Sequence, residues 1–211
     1  SEAVPELIEP AVKKALKDVL LKDDNGTLYA FAWARTEGFS MTEEKNELLI
    51  GSEIRFDIME YPQQETTDPD PIMAMARYIK GLYPDSIVVG IDKMADETEA
   101  SKEAPVFYCR LTEIEKLEET NTVVWMNGKI AISLLCPDGA TRLKMAAAVL
   151  NSLSLDGEVT MLDDSPMFME RLTANLKSDY LKDGQIFVTG RYGLLRYKAV
   201  GYPLRHPNIN Y

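Results

Sequence analysis

An alternation of apolar and polar residues in the second half of the chain constrains its fold more than any other feature. Ile130, Ile132 and Leu134 alternate with small or polar residues. This period of two predicts a strand with one buried face. The surrounding segment 121–135 is predicted as one strand, or as two strands joined at Asn127-Gly128, a pair typical of tight hairpin turns.

A helix and a last strand are expected to complete this unit. Pro137 ends the first strand, because proline cannot donate a ladder hydrogen bond. The apolar spacing in residues 139–153 predicts an amphipathic helix. Residues 185–197 predict the closing strand, in which Gly190 is expected to mark a bulge or a close backbone approach. We therefore expect this strand–helix–strand unit to form the core of a sheet.

Further elements are predicted on both sides of that unit. A second helix is expected at 72–82, with Asp70 as its N-cap and Pro71 at its first position. Other helices are predicted at 6–21 and 167–181, and strands at 28–35, 47–60, 86–92, 105–111 and 158–162. Loops are predicted at 36–46, 61–71 and 94–104, and either a helical turn or a connector at 113–119.

These elements predict an α+β fold, with a mixed, largely antiparallel sheet, two or three packed helices and long loops. We expect a single α+β domain over residues 1–198 and a C-terminal arm at 199–211. The order of strand, proline, helix and strand occurs twice, at 54–91 and at 130–162. An old duplication, with halves near 28–111 and 121–197, and ordinary alternation of strands and helices explain this echo equally well.

The charge of the chain limits its partners. Its net charge is −11, which argues against sequence-specific nucleic acid as a partner. No apolar run reaches 18 residues, so no membrane partner is expected. Residues 184–211 contain four bases and no acids, whereas the first 183 residues hold 34 acids and 19 bases. A basic end and an acidic body suit head-to-tail contacts between copies, although a local excess without a role is the simpler interpretation.

Catalytic and metal-binding patterns are absent from the sequence. The chain has one histidine, His206, and two separated cysteines, Cys109 and Cys136. They do not match the usual zinc spacings or a nucleophile–histidine pair, so no catalytic residue, metal site or cofactor is predicted. The cysteines are expected to be buried thiols, with a disulfide between them as the alternative. Asp163-Asp164 make a poor acid–base pair, because neighbouring residues on a strand point to opposite faces.

One strand carries an aromatic stripe. Tyr29, Phe31 and Trp33 are expected to share a face. Core packing or a subunit contact explains such a stripe more simply than a ligand site does. The neighbouring strand is expected to turn Ile54, Phe56 and Ile58 inward.

The C-terminal arm is predicted to contact a neighbouring subunit, and folding back on its own domain is an equally supported alternative. Pro203 and Pro207 keep it extended. The candidate interface combines apolar anchors of the arm with basic residues of the last strand and the arm. The residues predicted at this interface are Arg191, Arg196, Tyr202, Leu204, Arg205, Ile209 and Tyr211.

The order of elements resembles the tail terminator, or tail-completion, proteins of tailed bacteriophages and related contractile particles. The resemblance covers VPELIEPAVKKALKDVLL at 4–21, GKIAISLLCPDGATRLKMAAAVLNSL at 128–153 and DGQIFVTGRYGLLRY at 183–197. The chain departs from the family in being longer and in holding an additional strand–helix–strand set within residues 47–111.

The resemblance implies a structural virion protein without enzymatic activity. Such a protein forms a ring, commonly a hexamer, that docks on the end of the tail tube and stops its growth. Its partners would be copies of itself, the tail tube or sheath, and neck or connector proteins, and its location would be the virion assembled in the host bacterial cytoplasm. The alternatives are another head–tail joining or baseplate component, or a soluble binding module of unknown partner.

Overall fold

The fold contains two sheets and three helices in the part of the chain that is described. A computed structural model describes residues 5–42, 48–62, 67–177, 180–182 and 184–196 of the 211 residues. The helices are α1 (Pro5–Leu16), α2 (Pro71–Leu82) and α3 (Gly139–Asp156). The strands are β1 (Val19–Lys22), β2 (Leu28–Thr42), β3 (Leu48–Tyr61), β4 (Ile87–Val88), β5 (Glu97–Glu99), β6 (Val106–Glu119), β7 (Val123–Leu135), β8 (Glu158–Thr160), β9 (Pro166–Ala174) and β10 (Ile186–Leu195).

The larger sheet has six strands in the order β4-β6-β7-β10-β9-β8. The short strand β4 pairs parallel with β6, and the other four pairings are antiparallel. The predicted α+β class with a mixed, largely antiparallel sheet is therefore confirmed. None of the described helices is long and apolar enough to cross a membrane.

Helices α2 and α3 cover one face of this sheet, as expected. Ile79 of α2 and Leu153 of α3 are fully buried in one cluster with Phe107 and Ile132 of the sheet. Asp70 caps α2 and Pro71 is its first residue, as predicted. The buried stripe of α3 is narrower than expected and consists of Ala146, Val149 and Leu153. Leu150 is half-buried against this core, and Leu143 is exposed.

The opposite face of the six-stranded sheet carries a second layer. A four-stranded sheet in the order β3-β2-β1-β5 packs there. Val106, Tyr108 and Leu135 of the large sheet share a buried cluster with Leu20 and Leu28. Alternate residues of a strand point to opposite faces, so Val106 and Tyr108 face this layer while Phe107 and Cys109 face the helices.

Strand β7 is continuous through Asn127-Gly128, so the hairpin alternative is wrong. A type I′ turn requires positive φ at both central residues, and Gly128 is not among the residues with positive φ. Gly128 instead pairs with Gly190 of β10 and Ile114 of β6. Gly190 was expected to mark a bulge or a close approach, and it does both. The register shifts between Thr189 and Gly190, and a Cβ on Gly190 would lie 2.6 Å from Met167 Sδ.

The predicted helix at 167–181 is wrong, since residues 166–174 form strand β9. This strand lies between β8 and β10 and alternates buried Met167 with exposed Phe168. Pairing on both edges outweighs the local helical pattern. The predicted first helix also ends early, at Leu16. Asp18 has φ of 59°, a left-handed conformation that ends a helix, and β1 follows.

Other boundaries differ where long strands extend beyond the predicted ones. Residues 36–42, predicted as loop, belong to β2, and residues 113–119, predicted as a turn or connector, belong to β6. Lys129 of β7 pairs with Glu113 at 2.7 Å and supports that extension. The strand predicted at 86–92 shortens to β4, and the loop at 94–104 contains the short strand β5. The arm at 199–211 lies outside the described residues, and the duplication stays a prediction.

Candidate subunit interface

Two of the predicted interface arginines lie within the described residues: Arg191 in the middle of β10 and Arg196 directly after its end. Arg191 stacks over Trp125, with its guanidinium carbon 4.4 Å from the ring centroid. It also donates to Glu118 Oε1 at 2.6 Å. Arg196 donates to a carboxylate oxygen of Glu119. Both cations are therefore met by acids of the same chain, and their role at an interface stays a prediction.

The remaining predicted interface residues lie outside the described part of the chain. They belong to the C-terminal arm and are Tyr202, Leu204, Arg205, Ile209 and Tyr211. The arm's contact with a neighbour therefore stays a prediction as well.

No cluster of side chains suited to metal binding occurs within the described residues. Asp163 accepts hydrogen bonds from the Ser165 hydroxyl, at 2.6 Å, and from the Ser165 backbone N–H. Cys109 and Cys136 are buried and free, as expected for structural thiols. Burial raises the pKa of Cys109 to about 12, so its thiolate is scarce at neutral pH and the thiol is a poor nucleophile.

The outer part of the β2–β3 pair carries several exposed apolar residues, Trp33, Ile50 and Ile58. Strand β1 pairs only with Leu28–Ala30 of β2, whereas β2 and β3 remain paired out to Thr42 and Leu48. We call the part beyond β1, residues 31–42 and 48–58, the ribbon. It is two strands wide and about 35 Å long at 3.3 Å per residue. Two-stranded structures are marginally stable alone in water, so the ribbon needs cover.

One face of the ribbon is apolar. Facing pairs in an antiparallel ribbon lie on the same side, and the pairs Phe31–Ile58 and Trp33–Phe56 share one side with Ile54 and Ile50. Ile54 and Phe56 are half-buried. Ile58, expected to point into the core, is 60% exposed, and Ile50 is 66% exposed. The alternation therefore predicted correctly which residues of β3 share a face, but this face does not belong to the buried core.

Helix α1 covers part of this face, and consecutive hydrogen bonds between polar side chains hold it there. Trp33 Nε1 donates to Thr36 Oγ1 at 2.9 Å, and Thr36 Oγ1 donates to Glu9 Oε1 at 2.9 Å. Lys13 pairs with Glu9 and lies 3.5 Å from the Trp33 ring centroid. The hydrogen bond from Lys13 lowers the pKa of Glu9, with that from Thr36 as the next cause. These contacts fix α1 on the ribbon but leave Trp33 48% exposed.

A groove of about 620 Å³ runs beside α1 along the root of the ribbon. Phe31, Trp33, Phe56 and Tyr180 supply its aromatic lining. Tyr180 is held by a hydrogen bond from its hydroxyl to Asp18 Oδ1 at 2.7 Å. Lys17 and Lys177 also line the groove, and neither forms an ion pair with any residue that the structure describes. The aromatic stripe predicted from the sequence therefore borders an open groove.

Sequence reasoning missed the ribbon because residues 36–42 are polar and contain glycine. One signal was available. The alternation of Ile54, Phe56 and Ile58, which were predicted to point inward, continues at an even position to Ile50. Such a pattern extends a strand but does not tell whether its apolar face meets the core or a partner.

Comparison with known proteins gives no relative: no protein-family model matches the chain, and no curated protein matches it.

Proposed function

We propose that this chain is a structural assembly protein of a tailed phage or phage-like particle, a tail terminator that forms a ring at the end of the tail tube. The ribbon carries this proposal. It presents a long apolar face that the described residues of its own chain cover only in part, and such faces in folded proteins belong to interaction sites. A subunit whose ribbon gains further cover from a neighbour suits a ring.

The order of elements supports the same proposal. A single helix, α1, precedes the described strands. Helix α3 follows the long strand β7, which ends at Leu135 shortly before Pro137, and the long strand β10 comes last among the described elements. This is the arrangement on which the resemblance to tail terminators rests. The additional set within 47–111 supplies β3, α2, β4, β5 and the start of β6. We attribute the greater length of the chain to the ribbon and its supporting layer.

The proposal is tested by assembly and by tube binding. The full chain is examined by native mass spectrometry, and its complex with the tail-tube protein of the same particle by negative-stain electron microscopy. We expect a single closed oligomer, most simply a hexamer, that binds tube ends and stops tube growth. A chain that stays monomeric, or an oligomer that ignores tubes, contradicts the proposal.

A head–tail joining or baseplate component is the alternative within the same class of protein. It would also assemble into a ring, but it would bind a connector or a baseplate partner and leave the length of polymerising tubes unchanged. Tube-length distributions with and without the protein therefore separate the two.

A binding module is a second candidate, and the groove beside α1 favours it. Its aromatic lining and the lysines Lys17 and Lys177 suit an acidic partner. The Phe31→Ala variant removes lining from the groove. A wild type that does not cap tubes but binds an acidic ligand, together with loss of that binding in the variant, would favour the module.

A further inference from the structure

A second apolar surface lies on the outer side of α3. Leu155 is 87% exposed and Leu143 is 43% exposed, and Ala147 between them is also exposed. The helix exposes Lys144 as its only charged side chain between its first turn and Asp156. A surface helix normally exposes charged residues on its outer face. We call Leu143, Ala147 and Leu155 the α3 outer face.

Among the described residues, the apolar face of the ribbon is also exposed in part. It consists of Trp33, Ile50, Phe56 and Ile58, and we call it the ribbon face. An apolar strand face and an apolar helix face are natural partners, because sheets and helices bury their apolar sides against other elements.

These two surfaces do not cover each other within one chain. Leu153 of α3 packs on the side of the six-stranded sheet that contains Phe107 and Ile132. Tyr61, at the base of β3, packs on the opposite side with Tyr108, and their rings lie 5.0 Å apart. The sheet therefore separates the two surfaces, and both remain exposed.

We propose that the ribbon face of one copy of this chain packs on the α3 outer face of the next copy. This inference rests on the proposed function and names the contact that builds the ring. Because two different surfaces meet, the interface is heterologous. An open assembly of subunits therefore keeps one free ribbon face and one free α3 outer face, at its two ends, until the ring closes.

The charges beside the ribbon face and beside the C-terminal end of the α3 outer face are complementary, and Lys144 lies in the other half of that helix. Lys17 and Lys177 lie next to the ribbon face without ion pairs among the described residues. Glu158 and Asp164 follow the C-terminus of α3 and are exposed. The C-terminus of a helix is also the negative end of its dipole, which favours nearby cations.

Contacts between identical surfaces fit less well. A ribbon face against a second ribbon face brings Lys17 and Lys177 of both copies together. An α3 outer face against its copy brings Glu158 and Asp164 together. Like charges at an interface disfavour such pairs, so the observations favour ribbon against helix.

The test uses two double variants of the full chain that change no charge. One is Ile50→Gln/Ile58→Gln on the ribbon face, and the other is Leu143→Gln/Leu155→Gln on the α3 outer face. The matched control is Ile114→Gln/Leu117→Gln, which changes two exposed apolar residues at the far end of β6. All six side chains are substantially exposed, and circular dichroism melting checks that each variant folds.

Each interface variant is expected to run as a 23.7-kDa monomer in native mass spectrometry, at a concentration at which the wild type and the control are assembled. We expect the dissociation constant to rise by at least about thirtyfold, the effect of losing one interface hot spot. An equimolar mixture of the two interface variants should form a species of twice the monomer mass that does not grow, because only one intact pair of surfaces remains.

The outcomes separate this interface from the proposed function. Variants that assemble like the wild type overturn the interface, and rings that still cap tubes would then leave the proposed function standing. Two monomeric variants that do not combine on mixing also overturn it, because the intact α3 outer face of one and the intact ribbon face of the other would still pair in the mixture. Conversely, a wild type that assembles through these surfaces but does not bind tubes supports the interface and overturns the tail function. A wild type that is monomeric at every concentration overturns both.

Discussion

Single residues determine where the helices that cover the sheet begin. Asp70 Oδ1 accepts hydrogen bonds from the backbone N–H groups of Ile72, at 3.0 Å, and Met73, at 2.9 Å. These donors have no partner inside the helix, so the carboxylate replaces the water that would otherwise bind them. The start of α2 therefore depends on one side chain.

The Asp70→Ala variant should lower the free energy of unfolding by about 1 kcal/mol, the usual effect of removing an N-cap. Urea unfolding followed by circular dichroism measures it. Asp70→Asn keeps the accepting oxygen and should remain close to the wild type. Equal losses in both variants would show that the oxygen does not cap α2.

Gly190 allows β9 and β10 to approach closely. A Cβ at this position would lie 2.8 Å from Met167 Cγ, a fully buried side chain. We expect Gly190→Ala to cost about 1–3 kcal/mol through overpacking. Gly38→Ala is the control, because no atom lies within 4 Å of its Cβ position. If thermal unfolding shows the same small effect for both, Met167 moves aside without cost.

At the scale of elements, α3 has one buried stripe and one exposed one. Leu153 is fully buried, whereas Leu143 is largely exposed. Leu153→Ala should lower the free energy of unfolding by about 2–5 kcal/mol. Leu143→Ala in the isolated subunit should change it by no more than about 0.5 kcal/mol. Chemical denaturation compares the two, and a reversed order would mean that the helix is rotated about its axis.

Elements defined by neighbouring residues were predictable from the sequence, and elements defined by distant partners were not. Helix α2 was predicted with its cap because Asp70 and Pro71 act within one turn. Strand β9 was missed because its conformation depends on β10, which pairs Ile186 with Ala174 from across a connecting segment. Pairing of this kind leaves only a weak local pattern.

The candidate interface was also predictable only where neighbouring residues determine it. The alternation on β3 identified Ile54, Phe56 and Ile58 as one apolar face. Whether that face meets the core depends on where β1 stops pairing with β2. This pairing ends at Ala30, and the residue pattern of β3 carries no information about that position. The helical spacing likewise places Leu143 in the apolar stripe of α3 that was expected to cover the sheet, but this side chain is 43% exposed.

The ribbon should differ from its base in backbone protection. Residues 28–30 of β2 are paired on both sides, by β1 and β3, whereas residues 36–42 are paired by β3 alone among the described strands. Hydrogen exchange of the isolated subunit should therefore be slow at 28–30 and at least about tenfold faster at 36–42. Uniform protection along β2 would indicate that the far part of the ribbon is covered within its own chain.

For the whole molecule, two buried groups, Cys109 and Tyr108, should make the free energy of unfolding fall at alkaline pH. Burial raises the pKa of Cys109 from about 9 to about 12 and that of Tyr108 from about 10 to about 12. Each group loses its proton more easily when unfolded. Their contribution to stability is therefore complete below about pH 9 and is lost as the pH rises towards 12.

Melting temperatures between pH 8 and pH 12 measure this loss. Cys109→Ala and Tyr108→Phe should each flatten the alkaline fall, although Tyr108→Phe also removes the hydrogen bond to the Pro62 carbonyl, 2.9 Å long. Slopes identical to that of the wild type would show that neither group titrates differently on unfolding.

The position of the two cysteines has a practical consequence for labelling. Cys109 and Cys136 are the only thiols of the chain, both are buried, and burial raises the pKa of each. Maleimides react with exposed thiolates, so the native protein should be inert towards them. A cysteine introduced at the exposed Ser52 in the ribbon would then be the single reactive handle. A fluorophore attached there would sit beside the ribbon face and report its contacts without removal of either native cysteine.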